Sequence, residues 1–187
     1  FSQPLLAANL ATEVSPDGVW TLQSDAEHAS RAPAGAEPWV QPLRYQPARL
    51  DSELLETTLL QAPMEWDSPA RFAGSTLTLP LPNGGFERFA VVESPVMEFG
   101  LASWMAAQGW PMKTYKGVSL DRPGTTARLD WGGPGGFHAM ISRPGEIYFI
   151  DPAWRGNAQS YRSYYKRDYP RGDKTLSCGV SGVASDP

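Results

Sequence analysis

From Ser75 to Lys166 the chain keeps returning to one pattern, a short run that alternates apolar and polar residues followed by a turn built on glycine or proline. Alternation on a two-residue period sends successive side chains to opposite faces of a strand, and a brief Gly/Pro break lets the next strand run back beside it. The clearest instance pairs Ser75–Leu81 with Phe86–Glu93 across Pro82-Asn83-Gly84-Gly85, whose residues tolerate a positive φ. Runs at Met112–Val118, Thr125–Trp131, Gly136–Ser142, Glu146–Ile150 and Ser160–Lys166 continue the pattern as a meander. The reversals fall at Asp121-Arg122-Pro123-Gly124, Gly132-Gly133-Pro134-Gly135 and Arg143-Pro144-Gly145. An antiparallel sheet is the fold this pattern demands.

Two segments break the alternation. In 51–61, Asp51 is placed to cap the first-turn amides, Leu54, Leu55 and Leu59 share a face, and Pro63 ends the helix. In 98–108, Phe99, Leu101, Ala102, Met105 and Ala106 lie toward one side and Gly109 closes the helix. Before them, Pro42–Leu50 reads as an edge strand, since its prolines argue against a central place. Residues 1–40 read as loosely ordered around one apolar stretch, Val19–Leu22, with Ala26–Ala36 an exposed loop and His28 a solvated surface histidine. The expected fold is α+β and mostly β. It divides into 1–40, a body at 41–167 and an extended segment at 168–187.

A chain of 187 residues can bury about 70% of its unfolded surface and needs no metal or disulfide to fold. With 16 Lys and Arg against 20 Asp and Glu, no basic excess recommends nucleic acid or an anionic membrane as partner. No apolar run reaches the ~18 residues of a membrane span, and the opening Phe1-Ser2-Gln3-Pro4 lacks the charged start of a secretory signal. If the protein is secreted or periplasmic, its signal has been removed already.

The sequence holds one cysteine, Cys178, in Lys174-Thr175-Leu176-Ser177-Cys178-Gly179-Val180-Ser181-Gly182. One thiol makes no internal disulfide, so it is a buried small hydrophobe, a nucleophile or a metal ligand. Its Ser and Gly neighbours have no apolar periodicity and favour an extended, accessible segment. The preceding Arg167–Lys174, charged and broken by Pro170 and Gly172, reads as a tether. Zinc-protease, nucleophile-elbow, phosphate-loop and dinucleotide motifs are all missing. His138 reads as a half-buried structural histidine, and Glu65, Asp67, Glu87 and Glu93 as solvated carboxylates. Trp104, Trp110, Trp131 and Trp154 suit either a carbohydrate platform or core packing.

A set of short pieces then carries a resemblance. In order they are Leu79-Pro80-Leu81-Pro82-Asn83-Gly84 with Phe86 and Arg88-Phe89, Glu93–Met97, Lys113-Thr114-Tyr115 with Gly117, and Ala127–Trp131. They continue as Gly136–Ala139, Tyr148–Pro152 and Tyr164–Arg167. Through these pieces Tyr45–Tyr169, about two thirds of the chain, resembles the N-terminal prodomain of secreted bacterial reprolysin-like zinc metalloproteases, of the metzincin class. Cys178-Gly179-Val180 is similar to the centre of the Pro-Lys-Met-Cys-Gly-Val cysteine switch of animal reprolysin and adamalysin prodomains, with Leu176-Ser177 departing from it.

The resemblance implies a non-enzymatic prodomain that keeps a zinc metalloprotease latent in cis and helps it fold. Cys178 would ligate zinc held by the partner's catalytic domain, Gly179 would let the backbone thread the cleft, and the chain would hold no cofactor of its own. Maturation cleavage is expected after Cys178, because cutting at Lys166-Arg167 or Arg171 would part the switch from the body. Two other readings stay open at this stage: a stand-alone carbohydrate- or peptide-binding module and a cysteine-dependent enzyme.

Overall fold

The computed structural model describes residues 13–67, 74–132 and 135–170. Among them nine strands form one antiparallel sheet. In chain order they are β1 (Trp20–Leu22), β2 (Gln46–Leu50), β3 (Ser75–Pro80), β4 (Phe86–Glu93), β5 (Lys113–Ser119), β6 (Thr126–Trp131), β7 (His138–Arg143), β8 (Glu146–Pro152) and β9 (Ser160–Tyr165). Strands β3 to β9 pair as successive neighbours, β2 joins the free side of β9, and β1 lies outside β2. Among the described residues three short helices interrupt the strands: α1 (Asp25–Ser30), α2 (Ser52–Leu60) and α3 (Phe99–Ala107). The mostly β, α+β architecture is the expected one, with α1 an addition.

The inward set of the alternation makes the core. Leu77, Leu79, Phe89, Val91, Tyr115, Leu129, Ile141, Tyr148, Ile150 and Tyr161 are all buried. Trp20, fully buried, meets Phe137 and Tyr161 edge-on at centroid distances of 5.6 and 5.2 Å. The sheet curls until its two edges approach, and one carboxylate spans them. Asp17, just before β1, accepts from the Thr78 amide of β3 at 2.7 Å and from the Val19 amide at 3.2 Å. Helix α2 starts as the spacing predicts, Asp51 accepting from Glu53 and Leu54 amides, and turns Leu55 and Leu59 into the core while Leu54 stays 43% exposed.

Four expectations are corrected. Strand β2 is interior, between β1 and β9, despite Pro47. Pro47 faces the β1 side just beyond Leu22, where its carbonyl accepts from the Gln23 amide at 3.0 Å. The amide that proline lacks is replaced by the Gln46 side chain, whose Nε2 donates to the Gln23 carbonyl at 3.2 Å. The segment read as an exposed loop holds α1, with a capping box in which Ser24 and Glu27 bond each other's backbone amides. His28 is 2% exposed because that helix turns its one ring inward. Glu87, read as solvated, is wholly buried, since it shares the inward register of Phe89 and Val91.

Candidate functional site

Leu176, Ser177, Cys178, Gly179 and Val180 lie outside the described residues. What the structure describes is the point from which they depart. Strand β9 passes into a single 3-10 turn at Lys166–Asp168. Leu43 donates its amide to the Asp168 carbonyl at 2.8 Å, and the Tyr169 ring lies 5.9 Å from Tyr164 on the outer face of the sheet. Arg167 stacks over Tyr165 at 4.1 Å and, with Arg143, pairs with Glu146. Burial opposes ionisation of Glu146, but the two guanidiniums outweigh it and hold the carboxyl below its usual range. The exit is fastened on both sides.

At the other end of the strands, α3 is the most exposed apolar element of the body. Glu98 caps it by accepting from the Leu101 amide, and none of its residues is buried. Phe99 is 85% exposed, Trp104 58% and Leu101 48%. Its return loop is pinned instead: a Cβ at Gly132 would overlap the Pro111 carbonyl, and Gly132 has φ 91°. Between α3 and the ends of β4 and β5 runs an apolar groove of about 530 Å³, with Met64, Trp66, Met97 and Met112 in its walls. Methionines make such a surface adaptable. A helix that is apolar on all sides is ordinarily buried, which sets this exposed one apart from the rest of the surface.

A second groove, about 390 Å³, adjoins the first through Val96 and Thr114 and crosses the outer face of β5 to β8. His138 and Asp151 form its polar end. Nδ1 of His138 lies 2.7 Å from Asp151 Oδ1, and the Tyr164 hydroxyl donates to Asp151 Oδ2 at 2.6 Å. Burial lowers the His138 pKa, but the Asp151 hydrogen bond and the charges of Asp130 and Asp151 together raise it above the ordinary value. Burial likewise pushes Asp130 up. Among the described residues the imidazole's side-chain hydrogen-bond partner is the Asp151 carboxylate, which fixes the ring. His138 is half-buried, as its position in β7 predicts.

The four tryptophans that suited either a platform or core packing are divided. Trp104 and Trp110 are exposed beside α3, Trp131 packs against the core, and Trp154 forms a cage with His28 and Arg162. Trp66, 68% exposed, joins the α3 face and was not foreseen. The signal for that face was legible: from Pro95 to Met112 the sequence carries a single charge, Glu98. Among the described residues no three His, Cys, Asp or Glu side chains gather as a metal site, and no helix is long and apolar enough to cross a membrane. The chain matches no protein-family model, no curated protein and no solved structure.

Proposed function

We propose that this chain is the inhibitory prodomain of a secreted zinc metalloprotease, with Cys178 as the ligand that silences the partner's zinc. The observation that carries the reading is Cys178-Gly179-Val180, the single cysteine of the sequence, following a body that resembles such prodomains in ordered pieces. A catalytic zinc keeps one coordination position open for water. A thiolate at ~2.3 Å takes that position and excludes the water. In the precursor the Cys178 segment has an effective concentration on the order of millimolar at its site, so a weak docking suffices.

The exposed α3 face supports the reading, because a body that stays bound after cleavage needs about 1,000 Å² of interface beyond one Cys–Zn contact. In the full-length precursor, Cys178→Ala is expected to raise peptidase activity before processing by at least about tenfold, the equivalent of ~1.4 kcal/mol of lost docking. Unchanged latency would overturn the proposal. Helping the partner fold is the second part of the role, tested by refolding the catalytic domain with and without this chain.

A peptide-binding module is the second reading, favoured by the groove beside α3. Zinc-dependent association with a metalloprotease separates the two, since a peptide module requires neither zinc nor Cys178.

A further inference from the structure

Residues 24–45 cross the outer side of β2 and β9 and are held there by an unusual set of contacts. His28, from α1, is 2% exposed, and neither ring nitrogen has a hydrogen-bond partner among the described residues. Its ring stacks on Trp154 at 6.1 Å and faces Tyr45 at 5.9 Å. The third wall is Arg162 of β9, itself only 7% exposed, whose guanidinium lies 4.8 Å from the ring centres of both Tyr45 and Trp154. It donates to the Val40 carbonyl and makes no ion pair among the described residues. A buried cation usually has an anion beside it. This one is held by two aromatic faces and a carbonyl.

Such a cage accepts a neutral imidazole and rejects a charged one. Protonation would place a second buried positive charge beside Arg162, with two N–H groups and no anion to receive them. Asp25, on α1 itself, is the one carboxylate acting on His28, and its pull is weaker than the combined effect of burial and Arg162. Burial first, and Arg162 second, lower the imidazole from 6.5 to about 4. The segment's other side-chain attachments are an Arg155–Glu37 ion pair at 3.3 Å and the Trp39 ring, which lies 5.0 Å from the Arg155 guanidinium and 5.3 Å from the His138 ring; the rest are backbone bonds. Trp39 donates to Ala153 at 3.0 Å, Glu37 accepts from Arg155 at 2.9 Å, and Leu43 donates to Asp168 at 2.8 Å.

We propose that residues 24–45 are an acid-released strap: protonation of His28 expels α1 from the Tyr45–Trp154–Arg162 cage and loosens the strap's grip on Asp168, where the chain leaves toward Cys178. Only the consequence for Cys178, a weaker anchor for the inhibitory segment in acid, rests on the prodomain reading. The sign follows from a depressed histidine pKa. Docking is complete above the released value near 6.5, weakens about tenfold per pH unit on the way down, and levels off below about 4. The whole shift is roughly 300-fold in the docked-to-released ratio.

The test is hydrogen exchange on this chain alone, scored as protection factors so that the intrinsic pH dependence cancels. The Arg31, Trp39 and Leu43 amides are expected to lose protection between pH 6.5 and 4 while amides of β4 to β7 keep theirs. His28→Phe, which keeps a stacked neutral ring, is expected to flatten that profile. A wild-type profile flat to pH 4, or a His28→Phe profile that falls like the wild type, overturns the strap. Should His28→Phe fail to fold, the wild-type ring titrated by NMR decides: a midpoint that coincides with strap release supports it, and one near 6.5 overturns it. No protease enters the measurement, so its failure leaves the prodomain reading standing and the reverse also holds.

Discussion

Gln46 shows how much a single side chain can decide about a sheet. Its amide donates both to the Gln23 carbonyl and to the Pro47 carbonyl, at 3.2 and 3.0 Å, filling the place of the N–H that Pro47 lacks. Gln46→Leu is expected to cost about 1–3 kcal/mol, the penalty of leaving that carbonyl unpaired. In a Pro47→Ala background the backbone amide returns and the cost shrinks. Urea denaturation of the four proteins checks this, and equal costs in both backgrounds would refute the substitution. His28 belongs to the same scale. Its neighbours, two rings and a guanidinium, come from three separate parts of the chain, and this is why its local sequence read as solvent-exposed.

At the scale of elements, strands β1 and β3 sit at opposite ends of the strand order, and Asp17 joins the regions around them. A carboxylate accepting two amides and the Ser15 hydroxyl is a strong local clasp. Asp17→Ala is expected to destabilise the fold by about 1.5–3 kcal/mol, the range for hydrogen bonds to a charged group. Thermal unfolding measures the loss, and hydrogen exchange at Thr78 locates it. A loss with Thr78 unaffected would place the clasp elsewhere. Helices α2 and α3 form a contrast within one fold. Both have acidic caps and both break the strand alternation, yet α2 buries Leu55 and Leu59 while α3 buries nothing.

For the whole molecule, that contrast separates residues that hold the fold from residues proposed to meet a partner. Phe99→Ser with Trp104→Ser removes exposed apolar surface, so folding stability should move by no more than about 0.5 kcal/mol. On the prodomain reading, inhibition of the proposed partner protease by this chain added in trans should weaken about tenfold or more, as expected when anchor aromatics are lost. Denaturation and inhibition assays read the two effects, and a destabilised body with unchanged inhibition would show that the face serves folding instead. Alternation and turn chemistry by themselves determined the strands from Ser75 to Tyr165 and both larger helices, because those signals are local: a strand's faces and a helix's cap are written within a few residues. The role proposed for Cys178 rests on composition and motif alone. The tertiary structure alone decided the interior place of β2, the burial of His28 and Glu87, and the outward turn of α3. Each depends on what the rest of the chain brings alongside, a Gln46 amide, an Arg162 cage or an empty neighbouring face, and no window of sequence contains its own neighbours.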